Sequence, residues 1–197
     1  METFSPHSTF VDTLPTWAGW GLYVHVPFCE RKCPYCDFTV AVLRRRPELP
    51  YIEALWREYD ARVDAYVGPL KTIYFGGGTP GLLVPESIDA WAEGARARMD
   101  IEALEEFTVE FNPEHMDDAR LAAWRRAGAT RISLGVQALH PHALQRLGRH
   151  HSVEDAVHAV ERARAHGFEH ISLDFIFAVP DAVFKWWQVR CFFGSLR

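Results

Sequence analysis

The sequence predicts an α/β fold, an incomplete (β/α) barrel of about five strand-helix units. Short apolar segments rich in β-branched and aromatic residues alternate with longer stretches of helical period, the pattern of parallel strands joined by crossover helices. The alternation holds through most of the 197 residues. Each strand segment also ends in polar or ligand-type groups. A barrel gathers such ends on one rim around one pocket, whereas helices crossing both faces of an open sheet separate them.

The strand segments are residues 21–26 (GLYVHV), 72–75 (TIYF), 107–111 (FTVEF), 131–136 (RISLGV) and 170–177 (HISLDFIF). A cysteine loop follows the first and GGGTP the second, while Glu110, Gln137 and Asp174 lie at or near the ends of the other three. Ile52, Leu55, Tyr59, Val63 and Tyr66 recur at helical spacing, as do Ile88, Trp91, Ala95 and Met99, and each set predicts an amphipathic helix. Leu121 with Trp124, and Val153 with Ala156, Val157 and Val160, mark two more helices. Asp117 and Ser152 suit their N-caps, and Gly128 and Gly167 their ends.

With 48% hydrophobic residues the chain has enough apolar surface for a single core. No apolar run approaches the ~20 residues of a membrane span, and the N-terminus has no basic stretch before an apolar one, so a cytoplasmic protein without a membrane span is expected. The net charge of −5, with both signs interspersed, leaves no nucleic-acid footprint; Arg44, Arg45 and Arg46 read as a solvated loop. Few, clustered cysteines fit a reducing compartment, where thiols serve metals or chemistry more often than crosslinks.

The chemistry concentrates in HVPFCERKCPYCDF, which places Cys29, Cys33 and Cys36 within eight positions of a chain with four cysteines. Three thiolates suit an iron-sulfur cluster with one iron left open. Structural zinc with a distant fourth ligand such as His25 or Cys191, or unliganded thiols, remain alternatives on spacing alone. Arg31 and Lys32 between the first two cysteines favour thiolate formation. The glycines of Gly76, Gly77, Gly78, Thr79 and Pro80 let backbone approach a ligand, although an ordinary strand-to-helix turn has the same composition. Glu110 and Asp174 are carboxylates set among apolar strand residues, where each needs a partner or a ligand; a salt bridge to a helix arginine is the plain alternative. Gln137 and Arg149 read equally well as surface residues. His140, His142, His150 and His151 have no matching carboxylates and do not form a metal site, with 140–142 in a loop.

YVHVPFCERKCPYCDF, TIYFGGGTP, VEFNPE, RISLGVQAL, LGRHH and SLDFIFAVP occur in this order. The set resembles the radical S-adenosylmethionine superfamily, and within it the oxygen-independent coproporphyrinogen III oxidases and the related heme chaperones. The resemblance implies a radical-SAM (TIM-like) barrel in which Cys29, Cys33 and Cys36 hold three irons of a [4Fe-4S] cluster and the fourth iron chelates S-adenosyl-L-methionine. Tyr23, Tyr35, Gly77, Gly78, Thr79, Glu110, Gln137, Arg149 and Asp174 would bind that cofactor. One electron from the cluster then cleaves the sulfonium bond to give a 5′-deoxyadenosyl radical. The oxidases usually carry a further cysteine two residues after the third, and here that position is Phe38. The chain therefore resembles the heme-chaperone branch, which binds heme and passes it to client hemoproteins; radical decarboxylation of porphyrin propionates is the alternative. Partners implied are heme or a porphyrin, client hemoproteins and an electron donor.

The organisation expected is an N-terminal arm over 1–19, a partial barrel over 20–180 and an atypical tail over 181–197. The family continues differently after LDFIF, whereas this chain reads AVPDAVFKWWQVRCFFGSLR, as a shortened or frame-shifted end would. A third reading follows, an inactive truncated fragment that keeps the cofactor half and tends to aggregate through an open sheet edge.

Overall fold

The computed structural model describes residues 19–180. The arm up to residue 18, the tail from residue 181 with its aromatics, and Cys191 lie outside the described residues.

Five parallel strands form one sheet: β1 (Trp20–Val26), β4 (Leu70–Gly77), β5 (Glu106–Phe111), β6 (Arg131–Gln137) and β7 (His170–Phe175). Their order in space follows their order in sequence, β1-β4-β5-β6-β7. That order decides between the two architectures open to the sequence. A doubly wound sheet reverses direction at a switch point, whereas a sequential order with right-handed crossovers puts every helix on one face and curls the sheet into part of a barrel. The crossover helices are α1 (Glu48–Arg62), α2 (Pro85–Arg96), α3 (Asp118–Ala127), and α5 (Val153–Ala165) preceded by the short α4 (Pro141–Arg146). A two-stranded ribbon on the rim, β2 (Phe28–Cys29) with β3 (Ala41–Val42), was not expected from the sequence.

Strand alternation gives the sheet two unlike faces. Val24, Ile73, Phe75, Phe107, Val109, Ile132 and Leu134 turn to the helices and are buried. There Phe75 meets Trp91 and Trp124 edge-on, each at 4.8 Å between ring centres. Trp91 and Trp124 come from α2 and α3, so one strand residue ties two helices to the sheet, and truncating any of the three costs about 3–5 kcal/mol. Tyr23, Tyr74, Glu110, Ser133 and Asp174 alternate with these and face the concave side.

Local chemistry accounts for the helix ends. Asp117 accepts a hydrogen bond from the Arg120 amide, and Ser152 with Asp155 forms a reciprocal capping box. Gly128, at φ 101°, ends α3 in the left-handed region that favours glycine. The α1 face is shorter than its periodicity suggests: the helix ends at Arg62, Tyr66 is exposed, and Trp56 is buried instead. Residues 141–146 are helical rather than loop, started by Pro141 in the first turn, where its missing N–H costs nothing. Arg44 and Arg45 are exposed, but Arg46 is not a solvated loop residue. Its Nε donates to Glu48 Oε1 at 2.8 Å, and Glu48, only 6% exposed, accepts the Val84 amide at 2.9 Å through Oε2. β1 and β7 are the sheet edges among the described residues, and Phe177 beyond β7 is 77% exposed.

Candidate cofactor site at the strand ends

The cysteine loop begins on β2 and returns through β3. The Ala41 amide closes it by donating to Pro27 O at 2.7 Å. Phe28 anchors its root, buried and edge-on to Tyr51 at 5.3 Å. The glycine run is stitched to the same root: Gly78 N donates to Val26 O at 2.7 Å and Thr79 N to Phe28 O at 2.8 Å. Cys29, Cys33 and Cys36 are free thiols, and they line one pocket with Tyr35, Gly77, Gly78, Thr79, Glu110, Gln137, Arg149 and Asp174. Four of the five main strands thus contribute through their C-terminal ends. Of the residues expected from the sequence, Tyr23 alone falls outside that lining; it is 55% exposed, stacks on Tyr74 with ring centres 6.0 Å apart, and borders a neighbouring cavity.

The glycines have a different task from the one their composition suggests. A Cβ on Gly78 would lie 2.7 Å from Phe28 O and 2.8 Å from Val26 O, and one on Gly77, at φ 106°, would strike the His25 ring at 2.5 Å. Their bareness lets the run pack against its own chain, which in turn sets the height of the cysteine loop. His25 is not positioned as a fourth metal ligand: its Nδ1 pairs with Tyr23 Oη at 3.2 Å and its Nε2 with Thr39 O at 2.9 Å. It ties β1 to the far side of the loop.

Glu110 is partly buried. Tyr74 Oη donates to its Oε1 at 2.7 Å and the Gly77 amide to its Oε2 at 3.2 Å, so among the described residues its partners are a phenol and a backbone amide rather than a helix arginine. Burial pushes its carboxyl above the ordinary value against the pull of those two bonds. Asp174 is exposed rather than embedded, since β7 is an edge strand among the described residues, and its Oδ2 accepts from Ser133 Oγ at 2.9 Å. Gln137 has φ 65°, uncommon for a side-chain-bearing residue, where β6 slips register against β7.

Arg149 is no surface residue. Its side chain is 5% exposed; Nη2 donates to Asn112 Oδ1 at 2.5 Å and Gly135 O at 3.1 Å, and Nη1 lies 3.9 Å from Cys33 Sγ. Its Nε is buried and, among the described residues, has no hydrogen-bond partner. Arg149, rather than Lys32 or Arg31, is the cation at the thiols. The net effect at Cys29 is also opposite to the sequence expectation: burial raises its pKa, Thr79 Oγ1 at 3.5 Å and Arg149 lower it, and Cys36 and Cys33 raise it. Burial likewise pushes Tyr35 up to about 12, with Arg149 opposing and Cys33 reinforcing.

Sequence reasoning missed Glu114. Its Oε1 receives Arg31 Nη2 at 3.2 Å, and its Oε2 lies 3.3 Å from His151 Nδ1 and 3.9 Å from Arg149 Nη2. Burial favours the neutral acid, but the close approach of His151, the backbone amide of Glu114 itself and the Arg149 charge hold the carboxyl at about 2. The available signal was VEFNPE, where Asn112 and Glu114 directly follow a strand. His140, His142 and His150 are exposed and only His151 is buried.

The donor set fits the cofactors that the resemblance implies. Among the described residues no three His, Cys, Asp or Glu side chains are gathered tightly enough for a single ion. A cluster takes its thiolates at separate irons, so the fitting feature is a shared pocket, here lined by three free thiols, an unpartnered arginine Nε and carboxylates that suit an amino acid and a ribose.

Among known proteins, the chain is 39% identical over 162 residues to the heme chaperone HemW of Escherichia coli (strain K12), covering 81% of this chain and 43% of that one. It is 38% identical over 158 residues to the heme chaperone HemW of Lactococcus lactis subsp. lactis (strain IL1403), covering 80% and 41%. The chain therefore spans about two fifths of the length of these curated relatives. In three dimensions it matches coproporphyrinogen III oxidase (HemN) from Escherichia coli, described as a radical SAM enzyme, with a TM-score of 0.76 and 26% identity over 87% of this chain and 40% of that one. That match identifies the sheet as part of a TIM-like radical SAM barrel. Residues 23–186 match the family model of the radical SAM superfamily, whose cofactors are a [4Fe-4S] cluster and S-adenosylmethionine. The chain belongs to the radical SAM superfamily.

Proposed function

We propose that this chain is the cofactor-binding portion of a heme chaperone, a protein that binds heme and hands it to client hemoproteins. The observation that carries the reading is Phe38, 64% exposed on the pocket wall at the position where the porphyrin oxidases usually place a further cysteine. The names of the curated relatives support it, since those at 38% and 39% identity are called heme chaperones.

In this reading Cys29, Cys33 and Cys36 hold three irons. Gly77, Gly78 and Thr79 meet the methionine portion of S-adenosylmethionine; Tyr35, Glu110, Gln137, Arg149 and Asp174 hold the rest, with Tyr23 approaching from β1. Bound together, the two cofactors supply one-electron chemistry at a sulfonium. The protein's own share is placement: Glu110 presents a carboxylate already held by Tyr74 and Gly77, Arg149 offers its free Nε, and Thr79 Oγ1 lies against Cys29. In this reading the remaining share is to keep water and stray hydrogen donors away from the bound cofactors.

A second reading, oxidative decarboxylation of porphyrin propionates, has the structural match to coproporphyrinogen III oxidase in its favour. One experiment separates them. Anaerobically reconstituted chain is mixed with heme and, separately, with coproporphyrinogen III, S-adenosylmethionine and a reductant. A Soret shift with heme and no decarboxylated product is expected. Product formation overturns the chaperone reading; cluster assembly with neither outcome leaves only the cofactor half working.

A further inference from the structure

Two neighbouring residues of the cysteine loop face two neighbouring residues after β5 in a crossed arrangement, the Arg31 guanidinium against the Glu114 carboxylate and the Glu30 carboxylate against the His115 imidazole. Arg31 Nη2 lies 3.2 Å from Glu114 Oε1, and Glu30 Oε2 lies 3.3 Å from His115 Nε2. The two sides differ in character. The Arg31 and Glu30 side chains are 30% and 54% exposed, while those of Glu114 and His115 are 21% and 9% exposed. The loop therefore docks on groups already fixed in the barrel. Glu114 is fixed from behind by the buried His151 and Arg149, which follow β6 and α4. A single carboxylate so joins the segment between Cys29 and Cys33 to the strand ends of β5 and β6. The same Arg149 approaches Cys33 Sγ from the other side.

We infer that Glu114 is a positioning residue that holds the 29–33 segment in its ligand-ready shape before any cluster is present. Three thiols on a free loop lose much conformational freedom when they close on one cluster. A loop docked through Arg31 and Glu30 has already lost part of it, and its three thiols line the same pocket as Glu114. The interaction joins chain segments 83 residues apart, and Arg31 adds nothing to the apolar core. The inference rests on reading the three cysteines as cluster ligands, and the test separates its failure from the failure of that reading.

Lys32 is a natural reporter: it is exposed in the docked loop, and trypsin cuts a segment held in a fixed shape more slowly than one that opens. Iron-free chain is digested under anaerobic reducing conditions and cleavage after Lys32 is followed by mass. Cleavage under these conditions tracks the open population, so Glu114→Gln is expected to speed it about tenfold, with Glu114→Asp recovering part of the protection. Arg31→Gln, which leaves the contacts of Glu114 to Arg149 and His151 intact, is expected to speed the same cut without lowering the unfolding midpoint. The double variant is expected to fall short of the sum of the singles. Wild-type cleavage rates after Lys32 in Arg31→Gln overturn the inference, even if Glu114→Gln unfolds the chain as a whole. Iron and sulfide uptake by wild type against Cys33→Ser tests the ligand reading by itself, since a chain that takes up no cluster leaves the cleavage result unchanged.

Discussion

Gly78 and Val26 are in backbone contact across the barrel rim: the Gly78 amide donates to Val26 O at 2.7 Å, and a Cβ on Gly78 would lie 2.8 Å from that same oxygen. The obstacle is backbone, which cannot swing aside as a flexible side chain does. Gly78→Ala is therefore expected to cost about 1–3 kcal/mol of stability, as overpacking does. It should also shift the root of the cysteine loop, which Thr79 N shares through Phe28 O. Denaturant unfolding together with iron and sulfide content after reconstitution checks both effects. Unchanged values in both would contradict this account of the glycine run.

Glu110 combines a cost to the fold with a proposed role in binding. Burial raises its pKa in the folded chain. An acid with a raised folded pKa loses stability as pH climbs through its unfolded value toward the folded one. Removing the charge removes that loss. Glu110→Gln is expected to unfold at the same temperature as wild type at about pH 4, and at the same or a higher temperature near pH 7. Its affinity for S-adenosylmethionine should fall about tenfold or more, because a charge-assisted contact is lost. Calorimetric melts at both pH values and equilibrium dialysis of the cofactor measure the two halves.

Glu114 titrates in the opposite sense. Its folded carboxyl is held at about 2, below the usual 4.5, so its contribution is complete above the unfolded value and disappears as pH falls toward the folded one. A shift of that size corresponds to roughly 3 kcal/mol for a side chain only 21% exposed. The urea midpoint of Glu114→Gln should lie below that of wild type at about pH 6, and the gap should narrow by about pH 3. A constant gap would show that lost packing, rather than lost charge, explains the variant.

Glu48 closes the turn between the loop arginines and α2, accepting from Arg46 Nε and the Val84 amide. Glu48→Ala strands a largely buried guanidinium and a backbone N–H, and about 2–4 kcal/mol of destabilisation is expected. Arg44→Ala, on an exposed neighbour, is expected to change stability by less than about 0.5 kcal/mol. Urea titration of the two variants compares them directly, and equal effects would refute the distinction within the arginine run.

The sequence by itself determined what depends on neighbours along the chain. Strand and helix periods, the caps at Asp117 and Ser152, the stop at Gly128 and the grouping of three thiols are all set by residues a few positions apart, where sterics and hydrogen bonding act directly. Most of the pocket lining was legible too, because a parallel barrel delivers every strand's C-terminal residues to one rim. Only the tertiary structure decided the rest. Arg31 meets Glu114 across 83 positions and Arg149 approaches Cys33 across 116. Strand order and register create such contacts, and no local period encodes them. The same register left Tyr23 beside Tyr74, exposed Asp174 on an edge strand and turned His25 toward Thr39. It also made the glycine run a seam between two loops, because backbone from β1 and backbone from β4 meet there too closely for a side chain to stand between them.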